Sequence, residues 1–178
     1  MKILRQAITF FFLLTILVGG VYPVMVYGIS RVLFPGKASG GIIVYNDKNV
    51  GAELIAQEFT GENFFWGRPS AAGFNATASS GSNYALTNND HQKAVFERKA
   101  KGLDFDLLTT SGSGLDPHIS PKAALMQVER VARVRNLNQE TVIQLVNENI
   151  EGRQLGFLGE ERVNVLRLNL NLERLAHE

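Results

Sequence analysis

The chain has 178 residues, of which 45% are apolar and 20% are charged. A length of this order favours one domain, and the composition excludes both a disordered polar tail and a protein with many membrane spans. The 18 basic and 17 acidic side chains leave no basic field for a phosphate backbone, so nucleic acid is not a predicted partner. The absence of cysteine excludes disulfides, thiol nucleophiles and cysteine-based zinc sites, and it suits an oxidising compartment.

The first predicted element is a membrane-spanning helix. Between Arg5 and Arg31 lie 25 residues without a charged side chain. A helix of that length rises about 37 Å, which exceeds the roughly 30 Å of a hydrocarbon core. We therefore expect a transmembrane helix over residues 7–29, preceded by a short segment at 1–6. The alternative is a cleaved signal peptide, but no Ala-x-Ala cleavage site follows the apolar run.

The charges at the two ends of this span predict its orientation. Lys2 and Arg5 lie next to its start without an acidic neighbour, whereas Arg31 and Lys37 form a weaker positive flank after it. By the positive-inside rule, the N-terminus is cytoplasmic. Residues 30–40 then form a linker, and residues 41–178 form an extracytoplasmic (periplasmic) domain.

Two small residues in the span are candidates for helix packing. Thr15 and Gly19 stand four positions apart, which places them on one helix face. Such a small-xxx-small pair lets a second helix approach closely in lipid. The alternative is that both residues are simply common in membrane helices.

Beyond the linker, the sequence predicts short helices and strands. The first are a strand at 42–45 closed by an Asn-Asp turn, a short helix at 51–59 and an irregular loop region at 60–89. A helix at 91–101, a possible strand at 103–108 and a turn-rich segment at 111–121 follow. The last are two helices in series and a strand at 163–170 that bulges or turns into a terminal helix. Ser120 suits the N-cap of the first paired helix and Pro121 its first position, while Asn138 caps the second, which ends near Gly152. The predicted fold class is α+β, with one N-terminal transmembrane helix followed by a single small extracytoplasmic domain.

The loop region contains a cluster of aromatic and arginine side chains. Phe64, Phe65, Trp66 and Arg68 are residue types that are enriched at protein interfaces. This cluster is therefore a candidate partner interface. The alternative is that the aromatic rings fill the domain core while Arg68 lies at the surface.

Catalytic and metal sites receive little support from the residues. Ser113, Asp116 and His118 include the residue types of an acyl-transfer triad, so a membrane-tethered hydrolase using Ser113 and His118 is the alternative function. However, Gly112-Ser113-Gly114 does not match the nucleophile elbow. The three histidines, His91, His118 and His177, lack the spacing of metal ligands, and the sequence contains no P-loop, so no metal or directly bound cofactor is predicted.

Several motifs in order resemble one protein family. They are the Gly-Arg-Pro-Ser-Ala run at 67–71, the Ser-Ser-Gly-Ser-Asn run at 79–83 with Thr-Asn at 87–88, the segment at 111–121, the Ala-Ala-x-x-Gln-x-x-Arg-Val-Ala pattern at 123–132, and the Leu-Gly-Glu run at 158–160 followed by residues 162–170. Together with one N-terminal span, they resemble the KdpC family, the C subunit of the Kdp-type bacterial potassium-transporting P-type ATPase. Ser80 departs from the glycine expected at its position.

The resemblance implies a small, non-catalytic, single-span subunit of a complex in the bacterial inner membrane. Its implied partners are a channel-like potassium-selective A subunit, an ATP-hydrolysing P-type B subunit and a small hydrophobic F peptide, which together form a heterotetramer. ATP and potassium are then used by the complex. The resemblance also implies a catalytic chaperone that raises the ATP affinity of the B subunit, whereas the predicted orientation places the domain on the side that lacks ATP.

Overall fold

A computed structural model describes residues 1–175 and confirms the predicted α+β class. The chain divides into two units, one covering Met1–Val50 and the other beginning at Gly51, which we call the globular unit.

The first unit is dominated by a helix that runs over Lys2–Leu33 and is long and apolar enough to cross a membrane. It consists of α1 (Lys2–Ile16), a π-helical stretch (Leu17–Val21) and α2 (Tyr22–Leu33). The short helix α3 (Pro35–Ala38) follows. This apolar helix covers all the residues predicted to span the membrane, and it extends a few residues beyond them at both ends.

A hairpin follows the first unit's helices and confirms the strand predicted at 42–45. Strand β1 (Ile42–Tyr45) pairs with β2 (Lys48–Ala52) across Asn46 and Asp47, whose φ angles are 50° and 60°. Asparagine and aspartate tolerate this left-handed backbone, which two-residue hairpin turns require. The helix predicted at 51–59 is wrong: Leu54 and Ile55 are exposed, so helical spacing there builds no buried face.

The globular unit contains five helices among its described residues. They are α4 (Asn89–Ala100), α5 (Pro121–Leu125), α6 (Val128–Arg135), α7 (Gln139–Glu148) and α8 (Val165–Leu175). Ser120 and Asn138 form the two predicted N-caps, since their side chains accept hydrogen bonds from Ala123 N and Glu140 N. The first predicted helix is split after Leu125, next to Gln127, whose side-chain amide donates to the carbonyl of Ala123 at 3.1 Å.

A three-stranded antiparallel sheet has the order β3-β5-β4, formed by His118–Ile119, Arg162–Asn164 and Ile150–Glu151. Strand β5 ends at Asn164 and passes directly into α8. The terminal helix is therefore confirmed, but the strand predicted at 163–170 is wrong beyond Asn164, because Val165, Leu168 and Leu172 are buried along one face of α8. The strand predicted at 103–108 is wrong, because Phe105–Leu107 form a 3-10 turn. There the Asp106 carboxylate accepts bonds from the Ser120 amide and hydroxyl at 2.7 and 2.6 Å.

The hydrophobic core lies where the helices and the sheet meet. Helix α7 packs against α5, α6 and α8, and β5 contacts α5. The largest fully buried apolar side chains are Phe65, Leu107, Ile119, Val131, Val142, Val146, Val163, Leu168 and Leu172. One of them, Phe65, comes from the irregular loop region, so that region is tied to the core.

Candidate subunit interface

The candidate interface is the irregular segment at 61–70, which is held against the helices by two buried amide side chains. The first is Asn169 on α8, only 2% exposed. Its Oδ1 accepts a bond from the Phe65 amide at 2.8 Å, and its Nδ2 donates to the Phe65 carbonyl at 3.0 Å. Asn169 therefore satisfies both backbone polar groups of a residue that has no sheet neighbour to do so.

The second amide is Gln127, between α5 and α6, also 2% exposed. Its Oε1 accepts from the Trp66 amide at 2.8 Å, and its Nε2 donates to the Trp66 carbonyl at 3.1 Å. Two consecutive residues of the loop are thus held by side chains from two different helices. Sequence analysis did not assign these roles, although Gln127 belongs to one of the family motifs and Asn169 falls on the apolar stripe of α8.

The structure separates the predicted aromatic residues by environment. The side chain of Phe65 is fully buried, so it fills the core as the alternative interpretation expected. Phe64 and Trp66 are partly exposed on either side of it. The Phe64 ring lies 5.6 Å from that of Phe59 and 5.1 Å from the Arg135 guanidinium. Surface that a partner could reach therefore comes from Phe64 and Trp66.

Arg130 stacks on the ring of Trp66. Its guanidinium carbon lies 3.7 Å from the ring centroid, within cation–π range. The same group donates to Gln127 Oε1 at 2.8 Å and to the Glu62 carbonyl, while the indole N–H donates to the Gly61 carbonyl at 2.9 Å. Burial lowers the pKa of Arg130 to about 10, although the charge of the Glu62 carboxylate opposes this shift. The guanidinium is therefore still a cation at neutral pH. The stack presents a positive, aromatic surface.

Arg68 extends this surface toward the turn-rich segment. It donates to Asp116 Oδ2 at 3.3 Å and to the Thr110 carbonyl at 3.3 Å. Its Nε is buried without a hydrogen-bond partner. Arg68 therefore ties two loops together, and its side chain is only partly exposed.

The Asp116 carboxylate is held in its charged form. The His118 imidazole, 3.6 Å away, is the largest cause of its lowered pKa, and the His118 amide at 3.1 Å and the Arg68 charge add to it, while burial opposes the shift. Charged contacts of this kind stabilise a fold only while the carboxylate is ionised.

We expect the ionised Asp116 carboxylate to make the free energy of unfolding decrease as the pH falls. Because its folded pKa lies below the unfolded value of about 3.9, its contribution is complete above that value and is lost as the pH falls through the folded pKa. Urea unfolding between pH 7 and pH 2 should therefore show a shallower acid loss for Asp116→Asn than for the unmodified chain. The exposed Asp104→Asn is the control, and equal acid profiles for the two variants would contradict the assignment.

The proposed hydrolase constellation does not form a nucleophile and base pair. Ser113 Oγ accepts from the Leu115 amide at 3.1 Å, and the Ser113 carbonyl accepts from the Ser80 amide. The His118 ring faces Asp116 instead. Within residues 1–175, no hydrogen bond joins the Ser113 hydroxyl to His118, so the geometry does not support this alternative.

His91 and His118 belong to no cluster of three or more metal-ligating side chains in the described part of the chain, and His177 lies outside it.

In the first unit, the Thr15 hydroxyl donates to the Phe11 carbonyl at 2.8 Å, and Gly19 lies in the π-helical stretch. A side chain at Gly19 would meet no atom within 4 Å.

Comparison with known proteins gives a consistent result. The family model described as the K+-transporting ATPase, c chain, matches residues 4–174. A potassium-transporting ATPase KdpC subunit of Caldanaerobacter subterraneus subsp. tengcongensis is 49% identical, covering 95% of this chain and 93% of the relative. The KdpC subunits of Polaromonas naphthalenivorans and Geotalea uraniireducens are 48% and 45% identical, covering 98% and 99% of this chain and 95% and 100% of the relatives. The chain therefore belongs to the KdpC family of potassium-transporting ATPase subunits.

Proposed function

We propose that this chain is a non-catalytic, membrane-anchored accessory subunit that stabilises the assembled potassium pump. The observation that carries the proposal is the apolar helix over Lys2–Leu33, which supplies a membrane anchor. In the globular unit, the hydrogen bonds of Phe65 and Trp66 hold the loop against the helices and thus have a structural role. ATP hydrolysis is assigned to a P-type B subunit and potassium conduction to a channel-like A subunit, with a small F peptide completing a heterotetramer.

The proposed topology follows from the charges around the span. Residues 1–6, with Lys2 and Arg5, stay in the cytoplasm, residues 7–29 cross the inner membrane, residues 30–40 are a linker, and residues 41–178 lie in the periplasm. Thr15 and Gly19 give this helix a face on which a neighbouring helix can pack. Phe64, Trp66 and Arg68 give the outer domain a contact surface.

In this topology, the chain can act as a catalytic chaperone only through an indirect effect on the B subunit. A periplasmic domain does not meet ATP, so any rise in the ATP affinity of the B subunit would be transmitted through another subunit. Such coupling requires that the chain bind two states of the pump with different affinity.

Protease accessibility in sealed cells tests the topology. A C-terminal tag on the full chain should be cleaved by protease added outside spheroplasts, while a tag at the N-terminus should be cleaved only after lysis. Because the two tags are on the same protein, each is the control for the other. Protection of the C-terminal tag in sealed spheroplasts would overturn the proposed orientation, and loss of both tags from the membrane fraction would overturn the anchor.

A further inference from the structure

A groove along one side of α1 changes from basic to polar to apolar over its length. It has a volume of about 400 Å³, and its walls are formed by Lys2, Arg5, Gln6, Thr9, Phe10 and Leu13. These residues recur at intervals of three and four positions, which places them on one face of the helix. Phe10 is 64% exposed and Leu13 60%, so the apolar end of the groove is open.

Two uncharged polar side chains of the groove have no partner in their own chain. Within residues 1–175, the side chains of Gln6 and Thr9 make no hydrogen bond. The Thr15 hydroxyl, by contrast, donates to the Phe11 carbonyl at 2.8 Å. An amide or a hydroxyl that enters a bilayer without a hydrogen-bond partner costs free energy. Gln6 and Thr9 therefore need an acceptor from outside the chain.

The length of the span gives the depth of the groove in a bilayer. Arg5 and Arg31 are 26 positions apart in one apolar helix, which is a rise of about 39 Å. A bilayer is about 40–45 Å thick with its headgroups and about 30 Å without them, so both guanidinium groups reach headgroup depth. Thr9 lies about 6 Å deeper than Arg5, near the hydrocarbon boundary. Phe10 and Leu13 then face the hydrocarbon.

The order of side chains along the groove matches the order of chemical groups in a phospholipid, which has a phosphate, then ester carbonyls, then acyl chains. Lysine and arginine bind phosphate through charge-assisted hydrogen bonds. The Gln6 amide and the Thr9 hydroxyl can donate to ester carbonyls. The backbone carbonyls of a neighbouring helix already accept bonds within that helix. The groove therefore favours a lipid over a packed helix.

The charges favour an anionic headgroup over a zwitterionic one. Residues 1–46 contain four basic side chains and no acidic one, and the first carboxylate of the chain is that of Asp47. The ammonium group of a zwitterionic lipid would therefore meet only positive charge at Lys2 and Arg5. An anionic lipid lacks that repulsion, and the cytoplasmic leaflet carries a negative surface potential.

We infer that the groove on α1 binds an anionic phospholipid of the cytoplasmic leaflet. The two basic side chains hold its phosphate, and the Gln6 and Thr9 side chains hold its ester carbonyls. This inference rests on the proposed function, because it needs the span to lie in the membrane with its N-terminus inside. Thr15 lies about 120° around the helix from Thr9. The helix can therefore bind the lipid on one face and pack against a neighbouring helix on the face of Thr15.

Native mass spectrometry of the full chain tests the inference. The chain is reconstituted in vesicles of equal parts phosphatidylglycerol and phosphatidylethanolamine and extracted in mild detergent, and the bound lipids are identified by mass. We expect the unmodified chain to retain mainly phosphatidylglycerol. Arg5→Gln should lower the ratio of the two lipids about fivefold, the effect of one basic residue at an anionic surface. Arg31→Gln removes the same charge at the other end of the span and should leave the ratio unchanged.

A second pair of variants separates the groove from charge alone. Thr9→Val keeps the shape of the groove but removes the hydroxyl, so lipid retention should fall about threefold, as for one polar contact in a membrane. Thr15→Val makes the same change where the hydroxyl is already bonded within the helix, and retention should not change. Equal retention of the two lipids by the unmodified chain, or equal effects within either pair of variants, would overturn the inference. Failure of the unmodified chain to enter vesicles would instead overturn the anchor in the proposed function.

A photocrosslinker identifies what occupies the groove in native membranes. With p-benzoylphenylalanine at position 10 of the full chain, ultraviolet light should join the chain to anionic phospholipid. The control is position 11, because Phe11 is also 64% exposed but lies about 100° around the helix, outside the groove. Crosslinking of position 10 to another protein, or lipid adducts of the same composition at both positions, would overturn the assignment to an anionic phospholipid.

Discussion

Replacing Phe65 by alanine is expected to lower the free energy of unfolding of the globular unit by about 3–5 kcal/mol, the range for removing a buried phenylalanine. The side chain is fully buried, and it is the one contribution that the loop segment at 61–70 makes to the set of fully buried large side chains. Its loss leaves a cavity between the loop and the helices. Urea unfolding can be followed by the fluorescence of Trp66, the single tryptophan of the chain, which directly follows the mutated residue.

The matched control makes the same substitution at an exposed ring. Phe157→Ala removes as many atoms, but that side chain is 69% exposed, so stability should change by less than about 0.5 kcal/mol. Equal destabilisation by the two substitutions would show that the loop is not anchored in the core through Phe65.

The sequence could predict those elements that are determined by neighbouring residues. The span depends only on a long run without charge, and the N-caps at Ser120 and Asn138 only on a side chain that reaches amides two or three residues later. The Asn46-Asp47 turn is local in the same sense. For such features, the sequence contains all the interactions that decide the structure.

The wrong predictions concern segments whose structure is decided by distant partners. At 51–59, the Ala56 amide donates to the Leu115 carbonyl, far along the chain, and no helix forms. At 103–108, the Asp106 carboxylate accepts a hydrogen bond from the hydroxyl of Ser120, fourteen residues away, and the chain forms a 3-10 turn. Apolar spacing alone cannot indicate such bonds, because they depend on tertiary contacts.

The sequence could not predict the geometry of the candidate interface, which stays a prediction as a partner site. The sequence groups the aromatic and arginine side chains in one loop, and the structure shows that Phe65 is buried while Arg130 stacks on Trp66. The exposure of Leu155 and Phe157, which lie between β4 and β5, was not predicted either, because both resemble core residues in a sequence. Only the fold reveals that they are exposed and that Leu155 has a left-handed backbone.

Replacing Asn169 by leucine is expected to destabilise the globular unit by about 2–4 kcal/mol. The substitution keeps the approximate volume but removes both hydrogen bonds to Phe65, leaving a buried amide and a buried carbonyl without a partner at about 1–3 kcal/mol each. Part of this cost is offset by the added apolar surface. Thermal and urea unfolding of the full chain in detergent measure the change.

Asn147→Leu is the control, because Asn147 lies on the exposed face of α7 and the same substitution there should be nearly neutral. Gln127→Leu should resemble Asn169→Leu, since each amide holds one of two adjacent loop residues. If the two amides act on one segment, the double variant should lose less than the sum of the single losses, because release of either residue frees the other. Strict additivity would mean that Phe65 and Trp66 are held independently, and the loop would then not be a unit that can present Trp66 to a partner.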